Sequence, residues 1–447
     1  RRLLLAFLWL VSLNAACAIL GEPQRPDIPT PPPTAPPVSF TINSAELVTD
    51  PVGSITPQAD PDIEALVNAV SQQQLLAYVQ TLEGFGTRHT LSETQRDDWG
   101  IGAARRWLHS EFERVGGGRL EVTYDDFPVF FNGLETNQQN VIATLPGVGP
   151  HAGVFMMMAH YDSRTIDAAD GGNRAPGAND NASGVAAVLE AARLLSSRTW
   201  NQTIIFAAWA AEEQGTFGSR HFVQDRLLSG AVIDAALNND IVGGRLGLPQ
   251  AVRLFSPGPD TSPSRQLARY MNLITGLYVP TFALQLEDAL DREGRYSDHR
   301  EFVNAGVAGM RITEVQEDPN RQHNAQDTAE AIDYNYLAQV VRLNVATLAN
   351  LAGAPPPPPV PTVAPMANPG SFIVSWSPDP LAAGYAISFR PVGSADYAPF
   401  YYVNALDAGN VALTNLDPNV AYAVSLAALD TSGRISAFSS ETIIQSP

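Results

Sequence analysis

Three successive loops that carry an acid or a histidine, set among apolar runs, constrain this chain more than any other feature. Met156-Met-Met-Ala159 runs into His160-Tyr-Asp162; the loop Pro176-Gly-Ala-Asn-Asp180-Asn-Ala-Ser-Gly184 precedes an apolar helix; and Ala208-Trp209-Ala-Ala211 ends in Glu212-Glu213. Asp240, closing Asp234-Ala-Ala-Leu-Asn-Asn-Asp240, and His323, in Gln322-His323-Asn-Ala-Gln-Asp327-Thr328, have the same character. Histidine and carboxylate are donor types that Zn²⁺ accepts at neutral pH. Each motif has an ordinary reading by itself: a His-x-Asp pair shares one face of any strand, Glu212-Glu213 suits a solvated helix start, and Asp180 suits an N-cap. Their joint placement after buried strands, in a chain with few charges inside those strands, points to a metal site.

The runs also predict the fold. Helical periodicity begins at Asp62, with Ile63, Leu66, Val67, Val70, Leu75, Leu76 and Val79 near i, i+3, i+4 spacing, and a second helix is expected from Asp98 to Val115. Val122 to Phe131, Asn140 to Leu145 and Val154 to Ala159 read as strands. Helix and strand then alternate: Ser183 to Leu195, Thr203 to Ala211, Gly218 to Leu228, Val232 to Asn238, Ser262 to Thr275, Thr281 to Leu286, Val307 to Thr313 and Tyr334 to Leu351. That is an α/β domain with a mostly parallel mixed sheet flanked by helices, whose site is expected beyond the carboxyl ends of the strands.

Composition removes several function classes. The chain of 447 residues has a formal charge of −19, and all 27 basic residues are arginine, unclustered. Nucleic acid and anionic membrane are poor partners for such a surface. A lysine Schiff base and a P-loop lysine are impossible. The one cysteine, Cys17, rules out disulfides within the chain and cysteine-rich metal sites. Residues 1–20, with Arg1-Arg2, an apolar Leu3 to Leu13 and the small residues around Cys17, have the layout of a signal peptide. Cys17 resembles a lipoprotein cleavage site, although Asn14 departs from that pattern; ordinary cleavage nearby is the other expectation. Arg1-Arg2 also resembles the core of a twin-arginine signal. Export to the periplasm, the cell surface or the medium follows in either case.

A proline-rich linker is expected over 21–60, the main domain over 61–353, a second stiff linker (Ala354 to Pro361) over 354–361, and an all-β sandwich over 362–447. The proline spacer is expected to hold the sandwich off the body, leaving it dispensable for chemistry. Trp376, Leu416-Asp-Pro-Asn-Val-Ala-Tyr422 and Ala428-Leu-Asp-Thr-Ser-Gly-Arg-Ile-Ser436 resemble a fibronectin type III module. Its role is expected to be either binding to a surface or polymer, or spacing.

The order His160, Asp180, Glu213, Asp240, His323 resembles the two-zinc exopeptidases that include bacterial secreted leucyl aminopeptidases and glutamate carboxypeptidases. The resemblance runs from about Asp62 to Ala352 and rests on His-x-Asp, Pro-Gly-Ala-Asn-Asp180-Asn-Ala-Ser-Gly, Ala-Glu-Glu213-x-Gly with Gly218-Ser219, Ser297-Asp298-His299, and His323 followed by Asp327-Thr328. It implies two Zn²⁺: Asp180 bridging, His160 and Asp240 on one ion, Glu213 and His323 on the other. It also implies a cis peptide between Asp180 and Asn181. Glu212, beside a ligand but leaving the backbone in another direction, is the expected general base. Asp162 is expected to accept the second ring N–H of His160. Gln322 stands where some members carry a tyrosine that stabilises the oxyanion, and Tyr296 is a substitute candidate. His89, His109, His151 and His221 lack motifs and are expected to be structural or superficial. A peptide substrate and aminopeptidase activity follow from the resemblance. A glutaminyl cyclase-like transferase and a non-catalytic binding protein on the same fold are the alternatives.

Overall fold

The computed structural model describes residues 46–48, 57–150, 153–227, 229–394, 397 and 400–445. The segment expected to be a signal peptide, Cys17, most of the span expected to be the first linker, and His151 lie outside them.

A short strand, β1 (Glu46–Val48), comes first. The helical span expected from Asp62 divides into helices Pro61–Asn68 and Gln72–Gly84, because Ser71 is a competent N-cap and its hydroxyl accepts the N–H of Gln74 at 3.2 Å. Helix Gly100–Gly116 follows and stops at Gly117, which takes the left-handed conformation (φ 56°) that suits glycine.

The body is organised by eight strands: β2 (Glu121–Phe131), β3 (Leu134–Leu145), β4 (Val154–His160), β5 (Thr203–Trp209), β6 (Ala235–Asn239), β7 (Ala251–Phe255), β8 (Ala283–Glu287) and β9 (Ala308–Glu314). Their spatial order is β2-β3-β5-β4-β6-β9-β7-β8. The central four, β5, β4, β6 and β9, are mutually parallel, whereas β3 joins β5 and β7 joins β9 antiparallel. β3 begins six residues before the expected strand, because Asn132-Gly133, both at positive φ, close a two-residue hairpin that pairs Phe131 with Leu134.

Both faces of the central strands are covered, so β4 reads as a continuous apolar run. Phe155, Met157 and Ala159 belong to the large core, against helices Ser183–Leu195 and Tyr334–Gly353; Met156 and Met158 face Trp209, Phe222 and Phe302. The β4–β6 register aligns Met158 with Asn238. Two residues further on, His160 and Asp240 emerge side by side at the carboxyl edge, on the face of Met158.

Seven more strands, β10 (Thr362–Pro365), β11 (Phe372–Ser375), β12 (Gly384–Pro391), β13 (Tyr401–Asn404), β14 (Asn410–Thr414), β15 (Tyr422–Leu429) and β16 (Thr442–Ile444), complete two antiparallel sheets, β1-β14-β11-β10 and β13-β12-β15-β16. β1 therefore lies within the span expected to be linker and supplies an edge strand to the C-terminal sheets. Between the sheets, Trp376 sits edge-on to Tyr385 with centroids 5.3 Å apart. The Asp417 N–H donates to the Tyr422 hydroxyl at 3.2 Å.

The expectation that the proline spacer holds this module off the body is not met. Tyr270 donates its hydroxyl to the carbonyl of Ile435 at 2.7 Å, and Gln266 donates to that of Ser439 at 2.9 Å. Arg390, fully buried, binds Glu441 through two hydrogen bonds (2.7 and 2.6 Å) and Asp260 at 2.7 Å; Arg434 reaches Asp60 at 2.5 Å. Leu429, Ile435 and Phe438 join the main core. Pro355, Pro358 and Pro361 are buried, and Pro356–Val360 share a cleft with Gly153, Asp234 and Ala308, at the amino ends of β4, β6 and β9. Proline fixes local backbone direction, but it does not stop two complementary surfaces from docking.

Candidate metal centre

Five loops converge at the carboxyl edge. His160 ends β4, Asp240 follows β6, Glu212-Glu213 turn out of β5, Asp180 precedes helix Ser183–Leu195, and His323 lies in the loop after β9. Three of the non-glycine residues at positive φ, Ala211, Ile241 and His323, are a candidate donor or adjoin one. For isoleucine that conformation is a steric outlier, of the kind that surrounding structure tolerates where it aims a side chain. The Asp180–Asn181 peptide is cis.

All the candidate donors come together. The His160 Nε2 lies 3.4 Å from Asp180 Oδ1, 3.5 Å from Asp240 Oδ1 and 4.0 Å from Glu212 Oε2. The His323 Nε2 lies 3.2 Å from Asp180 Oδ2 and 3.2 Å from Glu213 Oε2. Two groups result, His160 with Glu212 and Asp240, and Asp180 with Glu213 and His323, each with donor atoms within 4.8 Å of one another. Asp180 turns one oxygen toward each group.

The electrostatics suit a cation. Arg311 holds Asp240 Oδ2 at 3.1 Å and Arg164 holds Glu213 Oε2 at 2.7 Å. The other oxygens, Asp240 Oδ1 and Glu213 Oε1, are buried with no hydrogen-bond partner among the described residues. Such oxygens are costly unless something binds them, and with two imidazoles alongside they fit zinc. Burial pushes Glu212 well above the usual carboxylate range. Burial also opposes ionisation of Asp180, but the two imidazoles outweigh it and hold that carboxyl well below the usual range. His323 is driven down by burial and up by Glu213 and Asp180, which together raise it to about 9.

Asp162 does something other than expected. The ring Nδ1 of His160 lies 3.2 Å from the Asp162 backbone carbonyl, whereas the carboxylate is at 3.6 Å. That carboxylate instead accepts the backbone N–H groups of Glu212 and Glu213, both at 3.1 Å, because the tight turn after β5 aims both amides inward. Asp327 repeats the device, accepting the N–H of Asn179 at 2.8 Å and of Asp180 at 2.9 Å.

Sequence reasoning missed the arginines. Arg88 is fully buried and donates to the carbonyls of Tyr161 (2.7 Å), Pro176 (2.6 Å) and Gly177 (2.8 Å), tying the His160 loop to the Asp180 loop; burial lowers it to about 10. These three partners are carbonyls far away in the chain, which leave no motif. Arg311, bidentate with Asp291 (2.9 and 2.8 Å), is equally silent within β9. Gly184 had a packing reason: a Cβ there would stand 2.2 Å from the Asn239 carbonyl.

The remaining candidates are less central. Asp298 is buried, accepts the Ser219 hydroxyl at 2.5 Å and is pushed by burial up to about 7; Ser297 accepts from Asn238 at 2.7 Å. The Tyr296 ring lies under the Arg300 guanidinium at 4.8 Å. Gln322 is held between Arg295 (2.5 Å) and Glu317 (2.8 Å). His89 is buried and bonded to Ala168 O at 2.9 Å, while His109 packs on Tyr124 and His221 on Phe127.

Residues 140–348, which span every donor above, match Peptidase family M28. A probable zinc metalloprotease of Pyricularia oryzae is 35% identical over 415 residues, covering 81% of this chain and 82% of that one. In fold, the chain is similar to the LapA aminopeptidase of Legionella pneumophila (TM-score 0.54, 21% identity, 68% of this chain and 78% of that chain). It is also similar to a glutaminyl cyclase of Porphyromonas gingivalis (TM-score 0.50, 21% identity, 62% and 98%). At such identities these two likenesses concern the fold alone. The length of the shared sequence with the Pyricularia protein, together with the matched span, establishes that the chain belongs to peptidase family M28.

Proposed function

We propose that this protein is an exported two-zinc aminopeptidase that removes N-terminal residues from peptides. The observation that carries the reading is the position of Asp180, whose Oδ1 faces His160 and whose Oδ2 faces His323. A carboxylate can bridge two cations where an imidazole binds one. His160 and Asp240 would hold one zinc, Glu213 and His323 the other. Bound there, zinc supplies an acidified water and polarises the scissile carbonyl.

Glu212 takes the proton of the attacking water as the new C–O bond forms, and gives it to the amine as the C–N bond breaks. Its burial suits this role, since a carboxylate raised toward neutrality accepts and releases a proton more readily at working pH. Asp162 keeps Glu212 and Glu213 pointing apart by holding both their amides. Asp327 does the same for the Asp180 loop.

Export is supported by the N-terminal segment, with Cys17 as the candidate lipid anchor. The two antiparallel sheets and the Tyr422 hydrogen bond support a fibronectin type III-like reading of the C-terminal module. The fold likeness to a glutaminyl cyclase keeps cyclisation as the second reading. Metal analysis with aminoacyl anilides and N-terminal glutaminyl peptides decides. Two zinc ions per chain and anilide hydrolysis support the proposal; one zinc ion with pyroglutamyl product overturns it.

A further inference from the structure

The acids around the centre are nearly all committed. Arg311 compensates Asp240, Arg164 compensates Glu213, Arg253 compensates Glu317, and Asp162 and Asp327 each hold two backbone amides. Glu314, at the end of β9, differs. It is 1% exposed and has no ion-pair partner among the described residues. Its two hydrogen bonds, from the Asn179 side chain (3.0 Å) and the Gly244 N–H (2.8 Å), both end on Oε2. Glu314 lines a narrow cleft that also reaches Asp180, Ile241, Gln322 and Ile332.

We propose that Glu314 is a substrate-binding residue whose carboxylate receives a substrate ammonium group in this cleft. The inference rests on the aminopeptidase reading, which requires recognition of a free amine. A buried carboxylate without a cation is an unfavourable arrangement that an incoming ammonium relieves. Burial pushes Glu314 up to about 7, consistent with a group awaiting its countercharge. Ile241 and Ile332 border the same cleft with apolar surface for the methylenes beside the ammonium. That ammonium belongs either to the substrate's α-carbon or to a lysine side chain at its N-terminus; Glu314 contacts it in either case.

Glu314→Gln in the full-length, zinc-loaded protein keeps an oxygen for Asn179 and Gly244 and removes only the charge. KM for leucyl anilide is expected to rise about ten- to a hundredfold, the range for a lost hydrogen bond to a charged group, with kcat nearly unchanged. KM for the analogue with a hydroxyl in place of the α-ammonium should not move. If lysyl anilide alone is affected, the side-chain ammonium is the partner. Equal losses on the amine and hydroxyl substrates would reduce Glu314 to a prop for the Asn179 loop and overturn the proposal, as would no change on any substrate. Turnover of leucyl anilide by the wild type tests the aminopeptidase reading separately. Should it be absent, calorimetric titration of leucine and of its 2-hydroxy analogue into both proteins still decides. Weaker leucine binding by the variant alone supports the ammonium site, and equal binding overturns it.

Discussion

The two edges of the central sheet both gather charge, and they do so in opposite ways. At the amino edge, where the C-terminal sheets dock, Arg390 is enclosed by Glu441 and Asp260, and Arg269 takes the other Asp260 oxygen at 2.6 Å. At the carboxyl edge Arg311 covers only one oxygen of Asp240 and Arg164 only one of Glu213, and among the described residues Asp240 Oδ1 and Glu213 Oε1 are left without a hydrogen-bond partner. A closed network stabilises an interface, whereas one with oxygens left over is built to bind something. Burial and ion pairing alone would not separate the two. The unused lone pairs do.

The comparison can be broken most severely by removing one edge. Truncation after Ala352 is expected to abolish soluble, cooperatively folding protein, because it strips Leu429, Ile435 and Phe438 from the main core and leaves Asp60 without Arg434. Thermal unfolding and size-exclusion chromatography check this. A truncated body with wild-type Tm would mean that the docking contributes nothing. At the other edge, Glu212→Gln should lower kcat by about 10²- to 10⁴-fold with metal content intact, whereas Glu213→Gln should lose metal. If the two behave alike under metal analysis, their roles are misassigned.

Smaller perturbations sharpen the contrast. Arg390→Met leaves Glu441 buried and unpaired and should cost about 3–5 kcal/mol of stability, read from denaturant unfolding, with kcat/KM unchanged. Adding Glu441→Met should restore much of that loss, since a well-packed apolar pair replaces a closed ionic one at little cost. Asp327→Asn keeps one acceptor for the Asn179 and Asp180 amides but loses the other. Zinc affinity should fall about 10- to 100-fold by competition with a chelator, the usual effect of altering a group that orients a ligand. Stability should barely move.

Much of the fold was legible because strand burial on both faces produces long apolar runs, and the helix Ser183–Leu195 and the run from Val154 appear where periodicity places them. The break at Ser71 was less visible, since one capping hydroxyl outweighs a continuing apolar pattern. β7 was not foreseen: it is five residues long and carries Arg253. In the site, histidines and acids announced themselves by type and order. Arg88 did not, because a guanidinium bonded to carbonyls needs no particular neighbour in sequence. Asp162 was expected beside the second ring nitrogen of His160 and lies there through its backbone carbonyl, but its carboxylate's bonds to the Glu212 and Glu213 amides were not foreseen, since the direction of those amides depends on a turn that residue types do not specify.

By itself, then, the sequence determined which residues could be metal donors and that they follow parallel strands, because donor chemistry and apolar patterning are local properties. Only the tertiary structure decided that Asp180 faces both histidines, that the Glu314 carboxylate has no ion-pair partner among the described residues, and that the proline-linked module lies against the body. Those facts depend on which oxygens and surfaces remain unused once every other contact has formed, and that is settled by groups far apart in the chain.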